Sequence, residues 1–259
     1  TGPVTHRVTA AATSTRTTGE SNPGYSCRFE CQSQTVFSNI YNPTETPQAF
    51  ATGTPDIRDK VYRYRVSGLA VADTMSLLGD RVQLTAGLRY QKFNNLDYDY
   101  YSFGEPAFGT VAERFDTSAT SPAFAVVVKP TAQLSLYANH IEGLEQGANA
   151  PAGTANEFQR FPPFHTKQNE VGAKYDFGSF GVSLAAYEIK RPTTGIDDNN
   201  VFSQEGEQRN RGVELNVFGE PVRGFRLLGG AAFNHARLTQ APDGANVGRK
   251  AVGVPDTQV

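Results

Sequence analysis

The chain has 259 residues, with 24 Lys and Arg against 26 Asp and Glu; this balance, without any run of basic residues, excludes a general nucleic-acid binder. Mean hydropathy is −0.44 and the longest unbroken apolar run is 123–128, whereas a transmembrane helix needs roughly 20 apolar residues in succession. A membrane-crossing helix is excluded, but a membrane-crossing strand is not, because only every second residue of such a strand meets lipid.

The first residues, Thr1-Gly2-Pro3-Val4-Thr5-His6, carry neither the basic nor the apolar stretch of a signal peptide. A first strand is expected over 3–16, followed by a long polar stretch, 19–58, that holds both cysteines. Cys27 and Cys31 stand four positions apart with no histidine nearby, and a zinc site needs about four ligands. A disulfide closing a small loop in an oxidising compartment is preferred to two free thiols.

Strands over 60–77 and 81–98 flank the tight turn Leu78-Gly79-Asp80. In the second of them Val82, Leu84, Ala86, Leu88 and Tyr90 share one face, and Gln83, Thr85, Arg89 and Gln91 share the other. Period two is the mark of a strand with one apolar and one polar face. A second long stretch, 99–118, separates this pair from strands over 118–129 and 134–145, which are joined by Lys129-Pro130-Thr131-Ala132.

The third long stretch is 146–165, and strands over 166–177 and 180–195 follow, joined at Asp176-Phe177-Gly178-Ser179. In the first, Val171, Ala173, Tyr175 and Phe177 oppose Glu170, Lys174 and Asp176. In the second, Phe180, Val182, Leu184 and Ala186 give way to Tyr187 and Ile189, a slip of phase that a bulge or an exit from a membrane explains. Strands over 200–218 and 225–238 flank a turn at 219–224, with Val213, Leu215 and Val217 set against Glu214 and Asn216. A tenth strand falls near 251–259, and further polar stretches lie at 196–207 and 239–250.

Several of these strands exceed the usual five or six residues, and short turns on one side with long connections on the other are the pattern of an outer-membrane barrel. A soluble all-β sandwich explains the alternation but predicts shorter strands and loops. The 11 tyrosines supply the interfacial aromatics of a chain that has no tryptophan.

Seven stretches, in order, resemble the barrel domain of TonB-dependent siderophore receptors, the ferrichrome-type group in particular. They are Thr1-Gly2-Pro3-Val4-Thr5-His6-Arg7, Asn39-Ile40-Tyr41-Asn42-Pro43, the segment 80–90, Leu134-Ser135-Leu136-Tyr137-Ala138-Asn139, Asn169-Glu170-Val171-Gly172-Ala173-Lys174-Tyr175, Arg209-Asn210-Arg211-Gly212-Val213-Glu214-Leu215, and Gly248-Arg249-Lys250 running to Val254-Pro255. The resemblance implies an all-β, antiparallel transmembrane β-barrel, with short periplasmic turns and long extracellular loops. Residues 1–259 then form a partial barrel domain of about ten strands out of 22, with plug, TonB box and C-terminal strands outside the chain.

It further implies an outer-membrane receptor of a Gram-negative bacterium that imports ferric siderophores, energised through TonB, whose contact lies in the missing N-terminal region. A passive outer-membrane porin is the alternative. Arg89, Glu170, Lys174, Arg211 and Glu214 are then expected to face the lumen. An iron chelate is large and partly apolar, which suits aromatic walls with few polar donors. Tyr100, Tyr101 and Phe103 in the densest aromatic cluster, and Phe161 and Phe164 in a second, are the candidate ligand contacts; loop packing or an aromatic girdle also explains them. Iron enters already chelated, so no cofactor and no protein metal ligands are expected. Outer-membrane lipid and lipopolysaccharide are the expected surroundings, and no nucleic acid is. The sequence holds no nucleophile elbow, zinc-helix, phosphate-loop or dinucleotide motif, and no enzyme activity is expected.

Overall fold

The structure, a computed structural model, describes residues 4–21, 41, 59–98 and 110–259. Ten strands lie in one sheet in sequence order: β1 Thr5–Ser21, β2 Asp59–Leu77, β3 Val82–Tyr98, β4 Val111–Val128, β5 Leu134–Glu145, β6 Phe164–Asp176, β7 Phe180–Ile196, β8 Phe202–Val222, β9 Phe225–Gln240 and β10 Thr257–Gln258. The pairings from β4 onward are antiparallel, which lets short turns join neighbours directly.

The turns form where Gly, Pro and Asx residues permit them. Leu78, Gly79 and Asp80 all adopt positive φ between β2 and β3. Between β6 and β7, Gly178 has φ 88° and its amide donates to Asp176 Oδ1 at 2.7 Å. The fourth turn is tighter than expected: β8 runs on through a bulge between Gly219 and Val222, and Val222 pairs with Phe225, leaving two residues to turn. Gly219 takes φ 129° at that bulge, an angle glycine accepts without a Cβ penalty. At their other ends several strands outrun the alternation seen in sequence, β4 beginning at Val111 and β1 continuing to Ser21.

The expected phase slip in β7 is a change of composition, not of phase. Register with β6 is unbroken from Lys167↔Lys190 to Asp176↔Gly181, and the first irregularity with β8 comes only between Thr193 and Gly195. Directly opposed residues of antiparallel strands share a face. Tyr187 and Ile189 therefore join the polar face, while the apolar face of Phe180, Val182, Leu184 and Ala186 continues as Glu188 and Lys190.

The chain divides into two compact units, one of residues 1–14, 67–92 and 117–259 and one of 15–66 and 93–116. In the second, Phe93 is 4% exposed and meets Tyr64 with ring centroids 6.4 Å apart; Arg63 stacks over Tyr98 and Asn94 donates to Asp116 at 2.8 Å. In the first, the sheet is a single layer and exposes large apolar side chains in rows: Val171 is 57% exposed, Leu184 50% and Phe233 58%. Among the described residues no large side chain is fully buried. A water-soluble domain of this size buries its apolar surface in one core; these rows need another apolar phase against them.

Candidate functional site

On the polar face of β5–β9 the register brings Asn139, Glu170, Tyr187, Gly212 and Asn234 into one line across five strands. Tyr137 Oη donates to Glu170 Oε1 at 2.7 Å, Gln168 Nε2 donates to the other carboxylate oxygen at 3.0 Å, and the Lys174 ammonium stands 5.3 Å from the Tyr137 ring centre. Tyr187 Oη donates to Asn234 Oδ1, and Asn216 donates to Glu214 Oε1 at 2.8 Å. Asn139 Oδ1 is shielded from solvent without a partner.

Two of these tyrosines lie across a glycine of the next strand. Tyr137 opposes Gly172 and Tyr187 opposes Gly212, and a Cβ on either glycine would come within 2.6 Å of ring or hydroxyl atoms. Phe218 covers Gly181 in the same way. Glycine here is a space requirement: it lets a flat ring lie along the sheet and hold its hydroxyl toward a neighbouring strand.

Glu170, Lys174 and Glu214 all fall on this polar face, opposed to Tyr187, Ser183 and Ala185 of β7. Arg211 does not, which corrects its expected grouping with them. It is opposed to Glu188 and His235, in parity with Val213 and Leu215, and it pairs with the Glu188 carboxylate on the apolar side. Arg89 lies between Leu88 and Tyr90, in parity with Thr85, whose hydroxyl meets that of Thr74 at 2.9 Å.

Phe164 opens β6 opposite Glu145, on the polar face at the long-connection end. Phe161 packs edge-on against Phe202, ring centres 5.6 Å apart, and is half-buried. Tyr100, Tyr101, Phe103, Cys27 and Cys31 lie outside the described residues.

The segment between β5 and β6 is tied to the β7–β8 connection. Asn156 Nδ2 donates to the Phe202 carbonyl and its Oδ1 accepts the Phe202 amide, both at 2.9 Å. Asn200 Nδ2 donates to the Gly153 carbonyl at 2.8 Å, and the Ala155 amide donates to the Asn200 carbonyl. Burial lowers the pKa of the Arg160 guanidinium below its ordinary value. Sequence reasoning missed this clamp, together with Tyr137, Tyr187 and Asn234. Asn156, Asn200 and Gly153 look like ordinary loop residues in sequence, and a tyrosine over a glycine is visible only once strand register is known.

A family model described as "TonB dependent receptor-like, beta-barrel" matches residues 5–259. The chain is 39% identical to the ferrichrome receptor FcuA of Yersinia enterocolitica, over all of the chain and 34% of that protein. It is 26% identical to the metal-pseudopaline receptor CntO of Pseudomonas aeruginosa over 71% of the chain and 27% of that protein. Its structure superposes on the ferric preacinetobactin receptor BauA of Acinetobacter baumannii with TM-score 0.74 and 36% identity, covering 99% of the chain and 37% of BauA. The chain thus spans about a third of the length of the relatives it matches.

Proposed function

The chain belongs to the TonB-dependent receptor-like β-barrel family, and from that premise we propose that it supplies transmembrane strands to a receptor that imports ferric siderophores across a Gram-negative outer membrane, driven through TonB. One observation carries the reading: a single-layer sheet with exposed apolar rows on one face and a hydrogen-bonded polar network on the other. Burial of apolar surface is worth about 25 cal/mol per Å², so such rows are stable against lipid, and the opposite face is wet. Lipid and lipopolysaccharide cover the first; the second faces the lumen, where Glu170, Lys174 and Glu214 line the route of the cargo.

The names of the similar receptors support an iron chelate as cargo, with iron entering as substrate and no resident cofactor. Tyr100, Tyr101, Phe103, Phe161 and Phe164 are the aromatic side chains we assign as candidate contacts for it. We assign no catalytic step and no nucleic-acid partner. The test is uptake of radiolabelled ferric siderophores by a receptor-deficient host that expresses the full-length protein. Uptake that stops when TonB is deleted supports the reading; TonB-independent passage of unrelated solutes replaces it with a passive pore.

A further inference from the structure

The polar face changes character as it nears the turns. Ser135, Lys174, Ser183 and Asn216 stand directly opposite one another on β5–β8, and Lys129, one residue beyond the Val128↔Leu136 pair, extends the same row past the end of β4. Every member of this row can donate a hydrogen bond, whereas the carboxylates of this face, Glu170 and Glu214, lie closer to mid-strand. Among the described residues no carboxylate comes within 4.0 Å of the Lys129 or Lys174 ammonium. Lys174 rests over the Tyr137 ring, 5.3 Å from its centre. The carboxylate next in line, Asp176, already accepts the Gly178 amide at 2.7 Å. Two cations thus stand two strand spacings apart, about 10 Å, with a serine hydroxyl between them.

A cavity of about 450 Å³ lies at this row. Its lining includes Lys129, Ser135, Lys174, Asp176 and Phe218, all of polar-face parity, while Leu134, Phe177 and Val217 of the other face take no part in it, so it opens on the polar side. Phe218 gives it an apolar wall: the ring lies across Gly181, where a Cβ would come within 2.6 Å of it, and the side chain is 52% exposed. Ser179 adds a second hydroxyl from the β6–β7 turn. An aromatic ring can stack on Phe218 while its oxygens meet ammonium and hydroxyl donors. A lining with two cations and one engaged carboxylate concentrates anions.

We propose that this cavity is an exit-side station for an anionic, aryl-bearing ferric chelate, held by Lys129 and Lys174 with Ser135 between them and stacked on Phe218. The inference rests on the transporter reading, which puts the polar face in the lumen and the turns on the periplasmic side. A chelate whose catecholate oxygens carry more charge than ferric iron offsets stays negative and gains from the two ammonium groups; a neutral hydroxamate chelate does not. Lys174 lies far along β6 from Phe164 at the long-connection end, roughly 34 Å at 3.4 Å per residue. The station therefore acts on passage out of the lumen, not on capture.

The test gives the full-length protein, in a receptor-deficient host, radiolabelled iron as an anionic tris-catecholate or a neutral tris-hydroxamate chelate. Maximal uptake rates are compared as the ratio of anionic to neutral, and binding is measured separately in the same host lacking TonB. K129Q/K174Q should lower the ratio about ten-fold, with a smaller change in binding of the anionic chelate. K129R/K174R should keep the ratio, as should K190Q on the other face. An unchanged ratio in K129Q/K174Q overturns the proposal. So does an equal fall for both chelates, which a mere packing role for the lysines would give, or a loss of binding as large as the loss of rate. A wild type that carries only the neutral chelate overturns it too; where it carries only the anionic one, rate against binding is the readout. The single variants K129Q and K174Q should fall between, so a double variant that fails to insert does not remove the test. Failure to carry either chelate overturns the station, and failure to carry any ferric chelate of a wider panel through TonB sinks the transporter reading as well.

Discussion

Leu136, Ala173, Leu184 and Leu215 occupy the same face of the same four strands as Glu142, Lys167, Lys190 and Arg209, each pair six residues apart. At about 3.4 Å per residue the two rows are roughly 20 Å apart along the strands. Backbone, register and parity are identical at both ends; only the side chains change. The lesson is that pairing fixes which way a residue points, while the medium at that depth fixes what the residue is. Toward the turns the face is dressed for an apolar phase, and toward the long connections for water and charge.

The largest test of this contrast sets Leu184→Arg against Lys190→Leu. An arginine on the lipid side near mid-membrane costs roughly 2–4 kcal/mol, falling to about 0–1 near the interface. Denaturant unfolding of the full-length protein in vesicles should show that loss for Leu184→Arg and almost none for Lys190→Leu. Equal responses at the two sites break the comparison.

The next contrast lies on the polar face, between two glycines. The three atoms nearest a Cβ at Gly172 all belong to the Tyr137 ring and hydroxyl, at 2.6 Å, whereas those nearest one at Gly212 include the Tyr187 hydroxyl at 2.5 Å and the Phe233 carbonyl oxygen at 2.8 Å. Gly→Ala at either should cost about 1–3 kcal/mol by overpacking. Adding Tyr137→Ala should recover most of the loss at Gly172, while Tyr187→Ala should recover only part at Gly212, because a carbonyl in the ladder cannot move aside. A full double-mutant cycle checks both.

Smaller effects separate the partly shielded network from the open rim. Tyr137→Phe removes the hydroxyl bond to Glu170 and should cost about 1 kcal/mol. Arg191→Gln breaks a pair with Glu145 whose side chains are 53% and 41% exposed, and should cost no more than about 0.5 kcal/mol, diminishing further in high salt. A rim loss larger than that at Tyr137 would reverse the order.

The same contrast explains how much was legible in the sequence. Where the face stays apolar, as over Val171, Ala173 and Tyr175 or Val213, Leu215 and Val217, alternation alone located strands, and the turns followed from Gly and Pro. Where the face turns charged, alternation fades though the strand continues. That is why Tyr187 reads as a slip, why Arg211 reads as a companion of Glu214, and why β4 begins at Val111 instead of 118. The polar network was illegible for a different reason: apart from the pairs Gln168–Glu170 and Asn216–Glu214 its contacts run across strands, and a segment read alone shows no partner for Tyr137, Tyr187 or Asn234.

The most direct measurement is a nitroxide scan along β6 of the full-length protein in lipid vesicles, with Cys27 and Cys31 replaced by serine and labels placed singly at 167, 170, 171, 173 and 174. The account predicts high oxygen collision at 171 and 173, high collision with a water-soluble nickel chelate at 170 and 174, and chelate access at 167 despite its sharing parity with 171. Uniform water access at all five positions, or oxygen preference at 170 and 174, would contradict a sheet with one lipid face that ends before Lys167.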